Sequence, residues 1–273
     1  MLQFRFQEGS GLEGHSFGNL FIVAMSGVVG NFEDAITESC RVLAVRGQVF
    51  PSTLEHVTLL ARYEDEAMVR GESAIPSAGK PIKRLSLEPE SVAPYPAAVR
   101  AIEEADLIIV GPGSVYTSLL PNLLVPGIAA AIQRSRAVKV YVCNVATQPG
   151  ETDGFSVADH VNTLIQHVGP GLFQHVLVNR NLQRAIPTGG RIETVAQRGT
   201  LPARVQVAEA DVVNNENPLR HDPIKLSDAL MRLYRARAAD IFEVLEPWMG
   251  TSSHEVVSTA VPSSLSGTNS EHS

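Results

Sequence analysis

The strongest constraint on the fold is a repeated alternation that begins near Pro94. PYPAAVRAIEEA reads as a helix opened by prolines, and DLIIVGPGS as a buried strand running into a glycine-rich loop. LPNLLVPGIAAAIQRS reads as helix interrupted at Pro126, because a proline ring cannot continue the helical hydrogen-bond ladder. KVYVCN is a second strand, FSVADHVNTLIQHV a helix and HVLVN a third strand. Strands joined through helices at this spacing pair in parallel, since parallel neighbours need a long crossover. RVQVAEADVVN then reads as a further strand and KLSDALMRLYRARAADIFEVL as a long closing helix. The predicted fold class is α/β, a Rossmann-like, mostly parallel sheet flanked by helices.

Upstream of this alternation the pattern differs. SGLEGHSFGN is a glycine-rich loop leading into LFIVAMSGVVG, and FEDAITESCRVLAV has an apolar stripe at Ala35, Ile36, Cys40, Val42 and Leu43. Two short helices meeting at Gly30–Asn31 are expected. Residues 47–87 hold short β-prone runs, VTLLARY, MVRGES and IKRLSLEPE, with EDE as a turn, and predict a small antiparallel excursion. Residues 1–250 are read as one α/β domain. Residues 251–273, rich in Ser, Thr, Gly and Pro, are read as a disordered tail.

Charge and cysteine content narrow the partners. The net charge of −7 over 273 residues disfavours nucleic acid, which selects basic surfaces. No apolar run approaches the roughly 20 residues of a membrane span, and no signal-peptide core is visible, so a cytoplasmic location is expected. Cys40 and Cys143 have no zinc-like spacing and are read as buried free thiols.

Three segments carry the candidate chemistry. GPGSVYTSLLPN follows Leu107–Val110, so its glycines lie at the carboxyl end of a buried strand, where open parallel sheets bind ligands. Gly111 and Gly113 let backbone approach a ligand, Ser114 and Thr117 offer hydroxyls, and a helix starting there would favour an anion. The bland alternative is a tight turn whose glycines serve local geometry. NVATQPGETDGF opens on the same sheet edge and supplies Asn144, Thr147, Gln148, Glu151, Thr152 and Asp153, of which Asp153 competes with Ser156 to cap the next helix. GHSFGN places His15 and Asn19 before a helix, as a phosphate contact and hydrogen-bonding group or as a loop residue and helix cap. His160 and His167 share a helix face without a carboxylate cluster, and no metal site is assigned to them. Arg220, His221 and Asp222 read as a polar turn before the last helix.

Taken in order, EGHSFGNL, FEDAI, VLAVRGQVFPSTLEHVTL, ADLIIVGPGSVYTSLLPNLLVPGI, KVYVCNVATQPGETDGFSVADHV and RHDPIKLSDAL resemble the CofD/YvcK-like family, which includes 2-phospho-L-lactate transferase and the bacterial gluconeogenesis factors. The resemblance runs to about residue 247, and TQPGETDG and VRGQVFPSTLE look closer to the gluconeogenesis-factor branch. It implies a sheet that binds a nucleotide-linked metabolite. In the transferase branch this is a guanosine diphosphate-activated phospholactate, transferred to a deazaflavin alcohol with magnesium. In the other branch it is a uridine diphosphate sugar, with effects on cell shape and envelope synthesis.

Carried onto this chain, Gly111, Gly113, Ser114, Tyr116 and Thr117 would line the ligand cleft. Asn144, Thr147 and Gln148 would lie opposite, and His15 and Asn19 at the base. The family's first strand, its GGGTG loop and an Asp-Asp-Gly-Gly segment are expected to be missing, since only Met1 to Gly14 precede GHSFGN. Losing a central strand would leave an unpaired edge that invites association with another copy. The resulting reading is a non-catalytic nucleotide-sugar binding protein of the gluconeogenesis-factor type. The alternatives are a phospholactate-type transferase and an incomplete fragment without ligand.

Overall fold

A computed structural model describes residues 4, 6, 12, 17–183, 186 and 192–245, with side chains in the last helix to residue 237. The predicted tail at 251–273 lies outside the described residues. Helices α1 (Phe17–Val29) and α2 (Phe32–Val42) form the expected pair. Asn31 caps α2, its Oδ1 accepting the Asp34 amide at 2.8 Å, and Glu33 and Asp34 in the first turn suit the positive end of the helix. The buried residues of α2 are Ala35, Ile36 and Ser39, whereas Val42 is exposed, so the buried stripe is narrower than the sequence suggested.

The antiparallel excursion is present as β1 (Thr58–Tyr63), β2 (Met68–Arg70) and β3 (Ile82–Glu88), in the order β2-β1-β3, with a short helix α3 (Ala74–Ser77) between β2 and β3. Its inward residues Leu59, Ala61, Tyr63, Leu85 and Leu87 join the main core. Tyr63 donates its hydroxyl to the Ile75 carbonyl at 2.8 Å, satisfying a polar atom that burial would otherwise penalise. The excursion is therefore a second layer of the core.

The second sheet contains β4 (Leu107–Val110), β5 (Val138–Val142), β6 (His175–Asn179) and β7 (Gln206–Ala210), all parallel and in sequence order. Every residue of β5 and β6 is buried, as expected for central strands covered on both faces. The strand period of two divides them cleanly. Val138, Val140, Val142 and Leu177 face α8 (Pro223–Leu245) through Ala229 and Leu230. Ile108, Val110, Tyr141, Val176 and Val178 face the other way. That second face is covered by α4 (Pro96–Glu103), α6 (Ile128–Arg134) and α7 (Val157–Val168), together with the antiparallel layer. β4 is an outer strand, and Ile109 on it is exposed.

Local chemistry sets the ends of the crossovers. Ser156 and Asp159 form a reciprocal capping box that starts α7, so Ser156 rather than Asp153 is the cap. Asp222 Oδ1 accepts the Ile224 and Lys225 amides at the start of α8. Lys139 is buried in β5, but its Nζ donates to the Ile132, Gln133 and Ser135 carbonyls and so closes the end of α6. Both cysteines are free thiols: Cys143 is buried, whereas Cys40 is only partly so. Among the described residues no single helix is long and apolar enough to cross a membrane.

Candidate functional site

The carboxyl ends of β4 and β5 open into a cleft of about 260 Å3. On one side the chain leaves β4 through Gly111–Gly113 and enters a π-helical turn, Val115–Leu119, which continues as α5 (Leu120–Leu123). On the other side it leaves β5 at Cys143 and runs through Asn144–Pro149. Asn144 joins the two. Its Nδ2 donates to the Gly113 carbonyl at 3.0 Å and to Gln148 Oε1 at 3.2 Å, and its Oδ1 accepts the Gly113 amide at 3.4 Å. The amides of Ser114, Val115 and Tyr116 make no hydrogen bond among the described residues, and a helix start presents such donors to an anion.

Behind this loop lies a polar knot. Ser114 Oγ donates to the buried carboxylate of Glu151 and accepts the Thr117 amide at 2.9 Å. Thr117 Oγ1 sits 2.8 Å from Ser114 Oγ and 3.1 Å from Glu151 Oε1. The hydroxyl proton of Ser114 is thus committed to Glu151. Ser114 serves the cleft mainly by capping the turn that carries the free amides.

The far wall comes from distant chain. Thr147 is buried, donating its amide to the Glu193 carbonyl at 2.8 Å and accepting the Glu193 amide on Oγ1 at 2.9 Å. Ile192, Leu219 and His221 complete the lining. Burial holds the His221 imidazole below its ordinary pKa, partly opposed by its hydrogen bond with the Cys143 carbonyl at 3.2 Å.

Five of the expected site residues, Gly113, Ser114, Asn144, Thr147 and Gln148, therefore line one cleft. The others lie elsewhere. Tyr116 is buried in the core, its hydroxyl donating to the Ile82 carbonyl and its ring against Phe155 and His167. Helical spacing explains this, because Tyr116, Leu120 and Leu123 form one buried stripe. Thr117 is behind Ser114, and Gly111 lines a separate groove of about 650 Å3 along the outer side of β4. Asn19 is the third residue of α1, exposed and not part of the cleft. His15 lies outside the described residues.

Glu151 was one polar residue among six in the sequence reading, and His221 read as a solvent turn; the structure gives both a place at or behind the cleft. Another hollow, of about 570 Å3, lies at the amino ends of β4 and β5. That is the opposite end from where parallel sheets hold ligands, and its Arg134 is paired with Glu103 at 3.2 Å. Among the described residues no three His, Cys, Asp or Glu side chains are grouped to hold a metal ion.

Comparison with known proteins gives the family and the fold. The family model described as 2-phospho-L-lactate transferase CofD matches residues 1–222. The gluconeogenesis factor of Bacillus subtilis is 43% identical over 246 residues, covering 86% of this chain and 76% of that protein. A Nostoc relative is 45% identical over 246 residues, and the match spans about half of it, 53%. The crystal structure of a UPF0052 family member from Bacillus halodurans is similar with a TM-score of 0.72 at 40% identity, covering 84% of this chain and 76% of that one.

Proposed function

Because this chain belongs to the CofD family, we propose that it is a cytoplasmic, gluconeogenesis-factor-type protein that binds a nucleoside diphosphate sugar in the cleft between Gly113 and Gln148. The observation that carries this reading is the convergence of the Gly113–Ser114 backbone, where the helical turn begins, with the Asn144–Gln148 side chains at the carboxyl ends of β4 and β5. The amides take the diphosphate oxygens, and Asn144 holds the two loops at a fixed separation. Gln148 turns its oxygen to Asn144, which leaves its amide nitrogen to donate to the ligand. Magnesium, where it takes part, enters with the diphosphate.

The role is binding and regulation of cell shape and envelope metabolism, without turnover. Its support is the kinship at 43% identity with a protein named gluconeogenesis factor. Calorimetric titration with uridine diphosphate N-acetylglucosamine, with guanosine diphosphate as comparison, tests it. Saturable binding of the uridine sugar is expected, and heats indistinguishable from dilution would refute it. The family description favours a second reading, a phospholactate-type transferase. Turnover of a guanosine diphosphate-activated phospholactate with a deazaflavin alcohol would establish that reading over the first.

A further inference from the structure

His221 is fixed in place before α8. It forms an antiparallel bridge with Val213, while Asn214 donates its amide to the Arg220 carbonyl at 2.9 Å and Asp222 donates its amide to Val212 at 2.8 Å. The Cys143 carbonyl can only accept, so the contact from His221 Nε2 makes that nitrogen the protonated one. The lone pair of the neutral ring is then on Nδ1. Nδ1 has no hydrogen-bond partner among the described residues and is not among the buried polar atoms left without one, so it is accessible, on a residue that lines the cleft. Burial favours the neutral ring, and neither Asp nor Glu lines the cleft to oppose it. The ring lines the cleft together with Ile192, Leu219 and the Gly113–Ser114 loop.

We propose that His221 reads the group attached to the diphosphate, Nδ1 accepting a hydrogen bond from a donor on that group, either a sugar hydroxyl or the imide N–H of the base. A lone pair facing a phosphate oxygen would repel it, which assigns the phosphates to the amide side and a donor-bearing ring to the histidine side. The inference rests on the nucleoside diphosphate sugar reading above.

The test compares wild type with His221→Phe, which keeps a flat ring but has no nitrogen lone pair to accept with. Both are titrated with uridine diphosphate N-acetylglucosamine and with uridine diphosphate alone. A roughly tenfold loss of affinity for the sugar nucleotide is expected, in a variant that still melts cooperatively. A loss confined to the sugar nucleotide places the donor on the attached sugar, and an equal loss for both places it on the nucleoside. Equal affinities of variant and wild type for the sugar nucleotide would overturn the inference while leaving the binding reading intact. Wild type that binds neither compound would overturn both. Imidazole 15N spectra of the wild type give the same answer without a variant: the His221 Nδ1 resonance shifts on saturation, and no shift would refute the contact.

Discussion

Ser114 donates its hydroxyl proton to Glu151, a residue 37 positions further along the chain, and this bond ties the loop after β4 to the loop after β5. Glu151 is 9% exposed and has Thr117 as a second neighbour, so the Ser114 hydroxyl depends on it and the Thr117 hydroxyl is shared with it. Removing it strands the Ser114 hydroxyl, at a cost of about 1–3 kcal/mol.

Glu151→Ala is accordingly expected to lower Tm by about 3–8 °C, and Glu151→Gln, which keeps an acceptor oxygen, by less. Scanning fluorimetry reads the difference. A Glu151→Ala protein melting within a degree of wild type would show that the two loops are held by something else. A double-mutant cycle with Ser114→Ala should show a coupling of about 1 kcal/mol or more.

Gly150 links the same loop to the antiparallel layer. It has a φ of +78°, and a Cβ there would lie 2.1 Å from the Pro76 carbonyl oxygen. Gly150→Ala should cost roughly 2 kcal/mol or more, seen as a lower urea midpoint at unchanged slope. Wild-type stability in this variant would mean that α3 does not press on the loop.

The two thiols should behave differently. Cys143 is 1% exposed, and burial pushes its thiol up to about 12, whereas Cys40 is partly exposed. One thiol is expected to react with a disulfide reagent at pH 8 in the folded protein, and two in denaturant. Two equally fast thiols in the native protein would contradict the closed packing at the end of β5.

Acid should weaken the fold through its histidines. His160 is fully buried, and burial holds its pKa below the ordinary 6.5; His167, His175 and His221 are lowered for the same reason. Below pH 6.5 the unfolded chain takes up these protons before the folded one does. Stability is therefore complete above 6.5 and falls as pH drops toward the folded values, by at most about 1.4 kcal/mol per pH unit for each histidine. Tm measured from pH 8 to 5 should decline on the acid side, and His160→Gln should decline less steeply. Parallel slopes for the two proteins would remove His160 from the explanation.

The strands were legible because β5 and β6, covered on both faces, must be apolar throughout, and because glycines mark where β4 ends. Half of the expected cleft was legible for the same reason: polar residues placed directly after such strands have nowhere to go but the carboxyl edge. Tyr116 was misjudged because a tyrosine in a glycine-rich loop invites a ligand contact, while its spacing to Leu120 and Leu123 already placed it inward. Glu151 and His221 could not be found by local pattern. Each acquires its role from a partner far off in sequence, Ser114 at 37 positions and Cys143 at 78.

The segment 193–196 runs beside the loop after β5 and is joined to it repeatedly: Glu193 with Thr147, Val195 with Val145, and Ala196 with Val157. The stretch from Val145 to Val157 is therefore pinned near both ends against a piece of chain only four residues long. Its length is as constrained as its composition. Insertion or deletion of a single residue between Thr147 and Val157 would force one set of pins out of step, so variation tolerated along this stretch should take the form of exchange and not of gain or loss.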